Sequence, residues 1–139
     1  MQLRLIAIFI LFLSLISCRK DSLDRIPETY VSYRITLQEF GIKNQNGLLL
    51  VNKQENAGVA GLIIYRRADG AYVAFDRCSS VNPEQRCAVV PDNPNLTATD
   101  PCSGAKFSLY DGSPVKAPAK RPLKEYRVII TNFDLTVVN

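Results

Sequence analysis

The sequence predicts a small all-β protein, an antiparallel sandwich or barrel, on three observations. Short stretches alternate apolar and polar residues with the two-residue period of a strand. Turn signals separate them at short, regular spacing. No segment sustains the 3.6-residue periodicity of an amphipathic helix.

The chain begins with a stretch that stands apart from that domain. Arg4 supplies a short positive region, residues 5–15 are an almost unbroken apolar run, and Leu15-Ile16-Ser17-Cys18 precedes the polar Arg19-Lys20-Asp21. An apolar run this short, ending on a small residue, reads as a signal peptide over residues 1–17 rather than a membrane span. The sequence Leu15-Ile16-Ser17-Cys18 resembles the bacterial lipobox. The resemblance implies cleavage before Cys18, a thioether from its sulfur to diacylglycerol, and acylation of the new amine. Residues 18–29, polar and containing Pro27, then read as a tether to a domain over 30–139. A lipid-anchored protein of the bacterial cell envelope follows, facing the periplasm or the cell exterior.

Along the domain, Tyr33-Arg34-Ile35-Thr36-Leu37 alternates, and Leu48-Leu49-Leu50-Val51 is a short run expected to be buried. Gly61-Leu62-Ile63-Ile64-Tyr65 and Ala71-Tyr72-Val73-Ala74-Phe75 flank Asp69-Gly70, which offers the positive-φ turn of a hairpin. Further strands are expected over residues 87–90, 96–98, 106–109, 127–131 and 134–138, with Asn132-Phe133 as a second tight hairpin. Eight or so strands at this spacing make a small sandwich or barrel.

Cleavage would remove Arg4 as the only charged residue among the first 17, taking the net charge from +4 to +3. The 122 residues left are enough for a single core. The basic excess gathers mildly at Lys116, Lys120, Arg121, Lys124 and Arg127. It reads as a solvated face, with docking to an acidic partner or to anionic headgroups as the other reading. Export argues against nucleic acid as a partner. With no histidine, no triad can form, and neither a carboxylate pair nor a phosphate-binding glycine loop stands out, so nothing nominates an enzyme. Tyr110 and Tyr126 read as core or hydrogen-bonding residues of the sandwich, and Asn95-Leu96-Thr97 as an accidental sequon.

Two segments resist the strand reading, and both carry cysteine. The first runs Cys78-Ser79-Ser80-Val81-Asn82-Pro83-Glu84-Gln85-Arg86-Cys87; the second is Asp100-Pro101-Cys102-Ser103-Gly104-Ala105. After Phe107 come Leu109-Tyr110-Asp111-Gly112-Ser113, Ala117-Pro118-Ala119, Pro122-Leu123 and Tyr126-Arg127-Val128. Over residues 31–139 this pattern resembles a Rieske iron–sulfur domain, with Ala117 where glycine is usual. The resemblance implies a Rieske-type β-sandwich whose two loops face each other. It sets Cys78 and Cys102 at the ligand cysteines and Ser80 and Ser103 at the ligand histidines. Cys87 resembles the cysteine that ends loop one, although its spacing is wider than usual, and Asp100 stands where its disulfide partner would be.

A Rieske cluster takes two thiolates on one iron and two imidazoles on the other. The mature chain has three cysteines besides Cys18 and no imidazole, so neither that set nor an all-cysteine set assembles. A mixed set of Cys78, Cys87 and Cys102 with an oxygen from Asp100 or Ser103 is conceivable, and zinc has three thiols where four ligands are preferred. The expectation is no cofactor, with one disulfide and one free thiol in an oxidising compartment. Three pairings are open. If the loops keep the family geometry, Cys78 and Cys102 point at one vacated iron site, which favours that bond over one to Cys87.

Two functions survive. One is an envelope lipoprotein whose degenerate Rieske-like domain is a binding or structural module for an unknown envelope partner. The other is an electron-transfer protein with an atypical [2Fe–2S] cluster, or a thiol–disulfide redox protein, with a redox partner. Lipidation is open to a direct test: Cys18→Ser should accumulate as uncleaved precursor and take up no labelled palmitate.

Overall fold

In the computed structural model residues 25–139 are described; the signal-peptide reading, Cys18 and most of the expected tether lie outside them. Among the described residues, ten strands form two antiparallel sheets. In chain order they are β1 (Ser32–Thr36), β2 (Leu48–Val51), β3 (Leu62–Arg66), β4 (Tyr72–Asp76), β5 (Val90–Pro91), β6 (Thr97–Thr99), β7 (Lys106–Ser108), β8 (Pro114–Lys116), β9 (Glu125–Ile130) and β10 (Asp134–Val138). The larger sheet runs β1-β10-β9-β4-β3-β2 and the smaller β5-β6-β7-β8. The all-β, antiparallel expectation holds.

Val31 and Ile35, at the β1 edge, and Leu49 and Val51, on β2 at the opposite edge, share one apolar cluster with Leu62, Ile64, Ala74, Tyr126, Leu135 and Val137. The larger sheet therefore curls on itself into a half-barrel around that cluster. A second cluster fills the space between the sheets, with Ile63, Val73, Phe75, Ala98, Phe107, Leu109 and Leu123. Strand β3 belongs to both: Leu62 and Ile64 face the first, Ile63 the second, and all three are fully buried. Its unbroken apolar run is the composition of a strand covered on both faces.

Several expectations need correction. Leu37 does not extend β1; it starts a seven-residue helix, α1 (Leu37–Lys43), which no helical periodicity announced. Thr36 caps it, its hydroxyl accepting from the Glu39 amide at 3.0 Å, and Glu39 pairs with Lys43 one turn on. The helix is short enough that one buried side chain, Phe40, anchors it, and a two-turn element shows little periodicity. Residues 87–90 are mostly not strand: only Val90 joins β5, and Ala88 makes an isolated bridge to Cys78. Leu50, within the expected buried run, faces outward on β2. The β8 strand was not expected, because Pro114-Val115-Lys116 is too short to alternate visibly.

Phe107 and Val128 occupy different cores. Phe107 is fully buried between the sheets, whereas Val128 lies half-buried against the half-barrel cluster beside Tyr126. Tyr126 and Val128, two residues apart on β9, share one face of the strand; which core that face meets depends on sheet closure. Residues 26–29, read as the end of a tether, run against the domain. Ile26 is buried with Val59, Ala60 and Cys78, and Lys124 donates to Glu28 at 2.7 Å.

Phe107→Ala should cost about 3–5 kcal/mol through lost transfer energy and a cavity. Val128→Ala, at a half-buried position, should cost clearly less; denaturant unfolding of both variants checks the order.

Candidate functional site

Loop one leaves β4 at Asp76 and loop two leaves β6 at Thr99, so each begins where a strand ends. Both open on the same three-residue device. In Asp76-Arg77-Cys78 the Asp76 carboxylate accepts the Cys78 amide at 2.7 Å; in Asp100-Pro101-Cys102 the Asp100 carboxylate accepts the Cys102 amide at 2.8 Å. Asp side chains close such turns by bonding backbone two residues on. Both carboxylates are fully buried.

Asp76 anchors the body of the domain. Besides Cys78 it accepts from the amides of Val59 at 2.6 Å and Ala60 at 3.1 Å, and from the Tyr126 hydroxyl at 2.8 Å. Burial first, and then the neighbouring carboxylate, raise the Tyr126 phenol, so it stays a neutral donor. Gly58, at φ +76°, lets the backbone come this close: a Cβ there would stand 2.5 Å from Asp76 Oδ2.

Asp100 joins the two loops. It accepts from the Ser79 hydroxyl of loop one at 2.7 Å and from the Ser103 hydroxyl of loop two at 2.6 Å. Burial opposes its charged form, but the hydrogen bonds from Ser103, Ser79 and the Cys102 and Ser103 amides outweigh it and hold the carboxyl below its ordinary value. Ser79 is itself fully buried, its amide donating to Cys87 O at 2.8 Å and its hydroxyl accepting from Val81 N at 3.1 Å.

The cysteines pair differently from the favoured expectation. Cys87, named as the alternative partner, bonds Cys102; Cys78 is free and fully buried. Cys78 follows β4 directly and points inward, its Sγ 3.7 Å from Ser79 O and 3.6 Å from Pro83 O. Cys87, across the loop, faces Cys102 with a Cα separation of 6.3 Å. Burial, with Asp76 adding to it, pushes the Cys78 thiol up to about 12, so it is not a nucleophile near neutrality.

Of the expected site residues, Cys87, Cys102 and Ser103 meet at Asp100, while Cys78 is turned into the interior. Ser80, which the resemblance sets at a ligand-histidine position, donates to Arg121 O at 2.7 Å. Tyr126 hydrogen-bonds in the interior as expected, but Tyr110 lies on the surface under the Arg67 guanidinium, 4.6 Å from its ring centroid. Ser79 and Asp76 were not singled out from sequence. The repeated Asp-x-Cys at both loop entrances was the available signal, and it also pointed to Asp100.

No protein-family model matches the chain, and no curated protein matches it in sequence. Solved structures do match in fold. The cyanobacterial plasma membrane Rieske protein PetC3 from Synechocystis PCC 6803 superposes with a TM-score of 0.55 at 22% identity, over 81% of this chain and 100% of that one. The ferredoxin of carbazole 1,9a-dioxygenase from Nocardioides aromaticivorans IC177 gives 0.52 at 16% identity, over 78% and 97%. A complex of reduced oxygenase and oxidized ferredoxin in carbazole 1,9a-dioxygenase gives 0.53 at 18%, over 79% and 94%. The fold is Rieske-like.

The residues present do not fit a Rieske cluster. The chain has no histidine, two of the three described cysteines are bonded to each other, and the third thiol is turned into the interior. A Cys₂His₂ set requires free thiolates and imidazoles at one place.

The lowered Asp100 carboxyl sets a pH dependence. The unfolded chain takes up that proton first, near the ordinary aspartate value of about 4, so the Asp100 contribution is complete above that pH and fades as pH falls further. Asp100→Asn should lower stability at neutral pH by about 1.5–3 kcal/mol. The gap to wild type should narrow as pH drops below about 4; urea midpoints across pH measure both.

Proposed function

We propose that this chain is a cell-envelope lipoprotein, anchored through lipid on Cys18, whose Rieske-like domain works without an iron–sulfur cluster as a binding or structural module. One observation carries the reading: the loops are held together by the buried Asp100 carboxylate and its two serine hydroxyls. In this arrangement the protein supplies its own cross-link between the loops, a covalent one at Cys87–Cys102 and a polar one at Asp100. A fully satisfied buried carboxylate holds its surroundings in one geometry, so the loop tips keep their shape without metal.

A second reading, a redox protein, is favoured by the exposed Cys102 side of the disulfide, which thiols can reach. The ferredoxin structures of the same fold, one of them in complex with its oxygenase, fit a redox partner for this chain under that reading.

Anaerobic reconstitution with iron and sulfide decides between a cluster and none. The expected result is iron far below two per chain and no Rieske-type signal in the reduced EPR spectrum. Two irons per chain with that signal would falsify the cluster-free reading.

A further inference from the structure

The Cys87–Cys102 bond lies against Asp100, and one ligand atom from each of Cys87, Cys102 and Asp100 falls within 4.8 Å of the others. We propose that reducing this bond turns the loop junction into a zinc site, with the two sulfurs and an Asp100 carboxylate oxygen as protein donors. The proposal goes beyond the cluster-free reading and does not depend on the lipid anchor.

The Asp100 carboxylate is already in place. It is fully buried and fixed by Ser79, Ser103 and the Cys102 amide. Hydrogen bonds of this kind orient metal ligands and tighten binding. The Cα atoms of Cys87 and Cys102 are 6.3 Å apart, a span that two thiolates sharing one ion at about 2.3 Å can bridge. Cys102 is exposed and Cys87 half-buried, so water and a cation reach the sulfurs. Two thiolates and one carboxylate suit zinc, with water in the fourth position, and reject calcium and magnesium, which take oxygen ligands alone. Cys78, turned toward Ser79 O and Pro83 O, is outside the set.

The electron balance needs a dithiol reductant. Its thiolate attacks Sγ of Cys102, and Cys87 leaves as a thiolate. The second thiol of the reductant then resolves the mixed disulfide. The reductant is oxidised to a disulfide, and the protein pair gains two electrons and two protons. Zinc binding then releases those two thiol protons as the zinc–sulfur bonds form.

The test titrates full-length protein, purified in detergent, with zinc chloride against a chromogenic chelator, once reduced by a phosphine and once oxidised. The reduced protein should bind one zinc per chain, and the oxidised protein at least about 100-fold more weakly, having lost both thiolate donors. Cys87→Ser and Cys102→Ser should lose the site, Asp100→Asn should weaken it about 10–100-fold, and Cys18→Ala and Cys78→Ala should keep it. X-ray absorption at the zinc edge needs no variant: two sulfurs and two lighter donors are expected. Failure of the reduced protein to bind, equal binding with both cysteines replaced, or a sulfur-free shell overturns the proposal. Iron content and EPR, which decide the cluster question, are read separately.

Discussion

A carboxylate removed from water must find donors on every side, and this domain meets that demand twice. Asp76 and Asp100 are fully buried at the starts of the two loops. An unpaired buried charge costs several kcal/mol, so each forces its neighbours into position. Asp76 draws in the 52–61 connection, the start of loop one and β9 through Tyr126. Asp100 draws loop one to loop two. The half-barrel and the smaller sheet are thereby locked in register at the end where the loops meet.

This arrangement explains how a Rieske-like scaffold holds its loop tips with a different set of residues. The two loop serines reach different partners: Ser103 turns back on Asp100, and Ser80 reaches out to Arg121 O. Ser79, between Cys78 and Ser80, closes the gap from the other side. The polar cross-link and the disulfide are adjacent, so each limits the freedom that the other would otherwise have to restrain. The apolar cluster between the sheets, centred on Phe75 and Phe107, supports both loops from beneath.

Much of this was legible in the sequence because local chemistry determined it. Short apolar or alternating runs located β2, β3, β4 and β10 to within a residue or so, and Asp69-Gly70 marked its hairpin, with Gly70 at φ +85°. The helix after Thr36 was hidden by its length, although Thr36-Leu37-Gln38-Glu39 carries the spacing of a capping box. The cysteine pairing was not legible, because it depends on which way Cys78 turns as it leaves β4, a matter of packing against Ile26, Val59 and Ala60 far away in sequence. Asp100 was visible in place of a cysteine and as an oxygen donor, but its role in joining the loops needed Ser79 from the other loop, 21 residues away. Val128 shows the same limit, since period-two alternation gives a face and never the core that face will meet.

The bond from Cys87 to Cys102 closes a ring that contains all of β5 and β6. The ring's outer end, at Asn93 and Pro94, is exposed, the kind of site where proteases cut first. Beside that turn, Asp92 holds Thr97, Thr99 and Lys106, fastening the hairpin to β7. A single cut in that turn would therefore release nothing: the two pieces would remain one molecule, joined through sulfur and still paired through the sheet. Backbone integrity and molecular integrity are separate properties in this domain, and reduction is what makes the first matter to the second.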